Sequence, residues 1–351
     1  MQPSHPNSHA GFVAAPASVL VIRPGAIGDI VMASGLAVAM RAAWPQARID
    51  WLVRPAYAGL LRHHPCLDTV IPLPFTTVSG SPTRWLHGAR MLRQAGYELV
   101  VDAQGLLKSA LVARLTGARR RVGLHSREGG NPFMTSVVVR PPSGGVMAAE
   151  YRALSAALGL DPQLTDPFLA MSGKDRDMAR SFLRENGVHG PYVVLCPFTT
   201  RPQKHWPEGH WQRLRQVLER DSGLAVVVMG GPGDAAAAER VVAGDGMAVS
   251  AAGRTRLSTS AALIAGAALV IGVDTGLTHM GTAFRRPTIA LFGSTRPYTT
   301  TPCGLTRVLY RDLDCAPCRR HPTCGGAFPC LAGLGPEQVL EAVASLPRMG
   351  R

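Results

Sequence analysis

Aromatic residues are scarce in this chain: Phe, Trp and Tyr together make up 6% of its 351 residues. Proteins that hold single-stranded nucleic acid stack successive bases on aromatic side chains, so this scarcity argues against that class. Cysteine is sparse too, seven in all. That excludes a disulfide-stapled scaffold and points to a reducing compartment. The longest nearly unbroken apolar run, residues 261–273, falls short of the ~20 residues a membrane-spanning helix needs. No Lys or Arg precedes the first apolar stretch in MQPSHPNSHAGFVAAPASVLVI, so the charged start of a secretory signal is missing. A cytoplasmic protein is expected. Neither G-x-G-x-x-G nor G-x-x-x-x-G-K-[ST] occurs, which counts against a standard dinucleotide site or a P-loop enzyme.

Apolar residues are plentiful at 46%, with 17% charged, so sizeable cores can form and a disordered chain is excluded. The length exceeds what one core sustains, which implies two domains. Lys and Arg number 37 against 23 Asp and Glu, a net charge of +14. Such a surplus suits a polyanionic partner: nucleic acid, an anionic membrane face or a phosphorylated substrate. No zinc finger, RNA-recognition or helix-turn-helix signature is present, so nucleic acid is not the expected partner.

Short apolar runs alternate with helix-like segments, the rhythm of βαβ units and a parallel sheet. Strands are expected at residues 18–22, 48–53, 69–72 and 97–103, with a helix from Asp29 to about Ala43. The pattern resets at 192–196, 225–229, 269–273 and 288–292. The expected organisation is a loose tail over 1–17, an α/β domain over 18–180, a second over 181–335, and a closing helical segment over 336–351. The two halves would face each other across a cleft.

Three loops follow strand ends, where open α/β sheets bind ligands. In RPGAIGDIVMASG, residues 23–35, Asp29 opens a helix after a glycine turn; it is either a reactive carboxylate or a helix cap. In CPFTTRPQKHWP, residues 196–207, Thr199 and Thr200 can donate to phosphate oxygens and Lys204 can neutralise one. The alternative is an exposed polar loop with Trp206 packed beneath it. In GVDTGLTHMGTA, residues 272–283, Asp274, Thr275 and Gly276 lie at a helix start suited to anions, with His279 nearby. Here the alternative is an ordinary cap and a packed histidine. Together the loops suggest a phosphorylated ligand in the cleft. Cys315, Cys318, Cys324 and Cys330 cluster near the C-terminus, but only the first pair has the close spacing usual for zinc, so a reduced or redox-labile loop is expected. The run of arginines at 119–121 reads as a solvated face or a contact for an anionic substrate.

Taken together, VIRPGAIGDIVMASGLA, VDAQGLLKSALVARLTGARR, TTRPQKHWPEGHW and AALIAGAALVIGVDTGLTHMGTAFRRPTIALFGSTRP resemble the family 9 glycosyltransferases. These are the bacterial heptosyltransferases of lipopolysaccharide core synthesis. DAQGLLKSA and KHWP tilt the resemblance toward the heptosyltransferase I branch, which adds the first heptose to Kdo–lipid A. The cysteine-rich segment is closer to other members.

The resemblance implies a GT-B fold, two Rossmann-like domains, and inverting transfer from ADP-heptose without a metal or other cofactor. It implies that Asp29 is the catalytic base. Thr199, Thr200 and Lys204 would bind the diphosphate, with Asp274, Thr275, Gly276 and His279 forming the donor loop. Gln104, Lys108 and Arg127 would lie on the acceptor side. The implied partners are an ADP-sugar, a phosphorylated Kdo–lipid A acceptor and the anionic inner leaflet, met from the cytoplasmic side as a peripheral protein.

Overall fold

The structure, a computed structural model, describes residues 15–74, 82–142, 144–318 and 320–347. Most of the expected tail, residues 1–14, lies outside the described residues. Ala17 already belongs to the fold: its N–H donates to Glu98 Oε2 at 2.9 Å and its carbonyl accepts from the Arg48 N–H at 2.9 Å.

The first half carries six strands: β1 (Ser18–Ile22), β2 (Arg48–Val53), β3 (Thr69–Pro72), β4 (Leu99–Asp102), β5 (Arg120–Leu124) and β6 (Ser136–Val138). The second carries β7 (Tyr192–Cys196), β8 (Ala225–Val228), β9 (Ala248–Ser250), β10 (Leu269–Val273), β11 (Thr288–Phe292) and β12 (Thr306–Tyr310). The sheets run 3-2-1-4-5-6 and 12-11-10-7-8-9, all pairs parallel. Both have the same order about their first strand, the doubly wound pattern expected from the repeating periodicity. The order reverses between β1 and β4, and again between β7 and β10. Ligand crevices open at such points, beyond the carboxyl ends of the strands.

β1, β4, β7, β8, β10 and β11 are buried along their whole length. Continuous apolar runs covered by helices on both faces are what parallel sheets require. β5 begins within the arginine run read as a solvated face. Arg121 folds back, its Nε donating to the Phe133 carbonyl at 2.7 Å, and Val122 and Leu124 enter the core.

The helix expected from Asp29 to Ala43 is two helices, Ile27–Ala33 and Gly35–Ala43. Ser34 separates them: its hydroxyl donates to the Val31 carbonyl at 2.7 Å and accepts from the Phe168 N–H at 2.9 Å. A serine that bonds to the backbone behind it competes with the helix ladder.

A domain edge at residue 180 falls inside helix Gly173–Glu185. Ser172 caps this helix, accepting from the Asp175 N–H at 3.0 Å. Its buried residues Ala179 and Phe182 pack with Val188, Tyr192 and Val194 of the second half. Helix and second sheet share one core, so the chain passes between halves before residue 173. The helix Pro336–Ala344 is likewise part of the second half, with Val339 and Leu346 in its core. Phe182→Ala should cost about 3 kcal/mol, as large-to-small core changes do. Chemical denaturation of the variant checks this, and a loss under 1 kcal/mol would detach the helix from that core.

Candidate functional site

The two halves meet at the helix starts that follow β1 and β10. A Cβ on Gly276 would sit 2.7 Å from the Gly28 nitrogen and 2.6 Å from Ile27 Cγ2. One on Gly28 would sit 3.1 Å from His279 Cδ2. Only glycines allow this approach. Beneath it, Val31 and Leu60 of the first half join the apolar core of the second. Above it lies a cleft of about 1530 Å³ lined by both halves, with Asp29 on one wall and Thr199, Thr200, Lys204, Asp274, Thr275, Gly276 and His279 on the other. The three strand-end loops therefore converge on one cavity.

Asp274, just past β10, is the centre of a buried network. Oδ2 is ion-paired with Lys204 and accepts from Thr295 Oγ1 at 2.6 Å. Oδ1 lies 3.2 Å from His279 Nε2, and His279 Nδ1 lies 3.2 Å from the Tyr298 hydroxyl. With Nε2–H donating to Asp274, Nδ1 accepts from Tyr298. Burial opposes charge on Asp274, but the His279 hydrogen bond and the Lys204 ammonium outweigh it and hold the carboxyl well below the ordinary range. Burial, reinforced by Asp274, pushes the Tyr298 phenol upward. Asp274 is thus a fixed carboxylate that pins Lys204. An ammonium has three N–H donors, so pairing with Asp274 leaves others for a ligand.

On the facing wall the Asp29 side chain is half exposed, and its Oδ2 lies 2.5 Å from a nitrogen of the buried Arg23 guanidinium. The same oxygen accepts from the Ala26 N–H at 3.2 Å. Asp29 therefore does close the helix start, but from the third helical position rather than as the cap itself, which is Ala26. Oδ1 has no protein partner among the described residues. Arg23 is held from behind by the carbonyls of Ala103 and Gln104, at 3.1 and 3.5 Å. Those carbonyls belong to a loop fixed by Asp102, which accepts from the N–H groups of Gln104 and Gly105 and from Ser109 Oγ at 3.0, 3.1 and 2.9 Å. Burial pushes the Asp102 carboxyl up to about 6 despite these donors.

Of the residues expected on the acceptor side, Arg127 lines the cleft, whereas Gln104 and Lys108 do not. The Gln104 Oε1 is buried without a partner, and its carbonyl is the acceptor for Arg23 and Arg140. Lys108 is exposed on helix Leu107–Leu115. Sequence reasoning does not single out Arg23, Thr295 or Tyr298, which complete the two networks. An arginine directly after a buried strand was the available signal for Arg23; Thr295 and Tyr298 reach the site only through the fold. All four clustered cysteines are free, grading from the exposed Cys315 to the buried Cys330. Among the described residues no group of His, Cys, Asp or Glu is arranged to hold a metal ion.

Residues 85–326 match glycosyltransferase family 9 (heptosyltransferase). The chain belongs to this family. It is 31% identical over 319 residues to lipopolysaccharide heptosyltransferase 1 of Pseudomonas aeruginosa, covering 87% of each chain. Lipopolysaccharide heptosyltransferase 2 of Salmonella typhimurium is 28% identical over 346 residues, 93% of this chain and 98% of that one. The E. coli heptosyltransferase WaaC, solved with ADP-2-deoxy-2-fluoro heptose, superposes with a TM-score of 0.68 at 26% identity, over 93% and 99% of the two chains. The two parallel sheets are the GT-B architecture of these family 9 enzymes, and the protein is a glycosyltransferase.

The Asp274 network has a pH signature. A depressed carboxyl contributes stability that is complete above its unfolded value near ~3.9 and is lost as pH falls toward its folded value. Asp274→Asn should cost about 3 kcal/mol at neutral pH, because Lys204 loses its buried partner. The gap in thermal midpoint between wild type and variant should narrow below about pH 4. A gap unchanged down to about pH 2 would contradict the network.

Proposed function

We propose that the protein is an inverting heptosyltransferase that moves the sugar of ADP-heptose onto the Kdo of a phosphorylated lipid A acceptor. The observation that carries this reading is the placement of Asp29 across one cleft from the Lys204–Asp274 pair. Inverting transfer is a single displacement. A base takes the proton of the acceptor hydroxyl while its oxygen attacks the anomeric carbon, and the bond from that carbon to the ADP oxygen breaks. Asp29 Oδ1, free of protein partners, is the oxygen that accepts the proton. Its sister oxygen stays on Arg23 and Ala26, so the carboxylate is held in one orientation.

Negative charge grows on the departing diphosphate. We read Lys204, the hydroxyls of Thr199 and Thr200, and the N–H groups opening helix Gly276–Ala283, all on the cleft, as the groups that meet it. These groups supply the positive potential, and we infer that no cofactor is needed beyond the donor itself. The basic surplus fits an acceptor embedded in an anionic leaflet. No helix among the described residues is long and apolar enough to cross a membrane, so attachment at the cytoplasmic face would be peripheral. A different core acceptor is the second reading, favoured by the similarity to a heptosyltransferase 2 and by the cysteine-rich segment.

Mass spectrometry of the product from ADP-heptose and Kdo–lipid A tests the reading. One added heptose supports it, and release of ADP only with a heptosylated acceptor favours the second. Asp29→Asn should lower kcat by about 10²–10⁴-fold, with the donor KM nearly unchanged because Asn keeps the size and can still accept from Ala26. Loss of stability with wild-type turnover per folded molecule would reduce Asp29 to closing the helix start. EDTA should leave the wild-type rate unchanged; a rate restored only by added divalent cation would overturn the metal-independent part.

A further inference from the structure

The cleft carries more cationic groups than the donor accounts for. Arg127, Arg201, Arg296 and Arg320 all line it, and none is ion-paired with a carboxylate among the described residues. The carboxylates on the walls are already engaged: Asp29 with Arg23, Glu150 with Arg140, Asp274 with Lys204, and Asp234 with the Gly231 N–H at 2.8 Å. Arg201 belongs to the diphosphate loop and Arg127 to the first half. Arg296 and Arg320 come from the second half and have no task in the reaction derived above.

Their placement is built. Arg296 directly follows Thr295, which donates to Asp274, so it adjoins the donor site. The next residues are stitched to the first half: the N–H groups of Thr299 and Thr300 donate to the Gly145 carbonyl at 2.7 and 3.0 Å, and the Met147 N–H donates to the Thr300 carbonyl at 2.8 Å. The Arg296 stem crosses Gly144, where a Cβ would lie 3.1 Å from Cδ. This second-half cation is therefore held against the first-half wall. Arg320 sits within the turn closed by the His321 N–H donating to the Cys318 carbonyl at 3.0 Å. Arg320 and His321 of the cysteine-rich segment line the same cleft as Arg296.

We propose that Arg296 and Arg320 form an anion subsite on the second-half wall that binds a phosphate or carboxylate of the acceptor, complementing Arg127 on the first half. The acceptor then carries at least two anionic groups, and the cysteine-rich segment serves to present Arg320 to it. Planar guanidiniums suit both oxyanions, which they grip with paired N–H donors. This subsite rests on the glycosyl-transfer reading but is tested apart from it.

The experiment is equilibrium binding of Kdo–lipid A in neutral detergent micelles to the full chain, alongside ADP binding and steady-state transfer. Arg296→Gln and Arg320→Gln should each weaken acceptor binding and raise its KM about ten-fold, within the range for a lost charge-assisted contact, with ADP affinity unchanged. Arg184→Gln, an exposed arginine outside the cleft lining, should change neither. If the subsite reads phosphate, the effect vanishes with dephosphorylated lipid; if it reads carboxylate, it vanishes with the esterified sugar acid. Wild-type acceptor affinity in the double variant overturns the subsite, as does an equal loss in Arg184→Gln. Intact acceptor binding without any transfer would instead overturn the glycosyl-transfer reading alone.

Discussion

Two glycines in contact, Gly28 and Gly276, set the geometry on which the site depends. Each lies in the first turn of a helix at the carboxyl end of a central strand, and each belongs to a different half. Their approach stacks the positive ends of two helices at the base of one cleft. It also sets the width across which Asp29 must face the donor loop. Val31 and Leu60, buried in the neighbouring half's core, support the contact with apolar packing. The sheets could be identical in order and still form no site without this seam.

Within the cleft, charge is fixed rather than free. Asp102 fixes a loop, the loop carbonyls hold Arg23, and Arg23 holds one oxygen of Asp29. On the facing wall Tyr298, His279 and Thr295 hold Asp274, which holds Lys204. Buried ion pairs of this kind are weak contributors to net stability, but breaking one is costly. Their value here is orientation. In the proposed displacement, preorganised groups need not reorganise as charge moves from acceptor hydroxyl to departing diphosphate.

Much of this was legible in the sequence, for definite reasons. β1, β7, β10 and β11 are unbroken apolar runs, and the three polar loops stand out because they interrupt them. β5 was hidden by Arg120 and Arg121 at its start, and β6 and β9 by their brevity and partial exposure. The break at Ser34 depends on Phe168, far along the chain, so local periodicity could not show it. The resetting periodicity puts the domain edge at residue 180, whereas the core assigns helix Gly173–Glu185 to the second sheet. In the site, residues next to strand ends were found. Thr295 and Tyr298 escape such reasoning because their partners Asp274 and His279 lie about twenty residues away, whereas Arg23 follows β1 directly and carries no motif that marks its pairing with Asp29. Gln104 and Lys108 follow a strand end as well, but the cleft wall is formed instead by Arg127, Arg140 and the segment beyond.

The seam can be tested directly with Gly276→Ala. The added methyl meets the Gly28 backbone and must push the halves apart, while the groups proposed to hold ADP stay together in the second half. Displacement of about 1 Å can cost roughly 10²-fold in rate. Measured on one preparation by calorimetry and steady-state transfer, ADP affinity should stay within a few-fold of wild type and kcat should fall at least ten-fold. A folded variant that turns over at the wild-type rate would contradict the claim that this contact sets the reacting geometry.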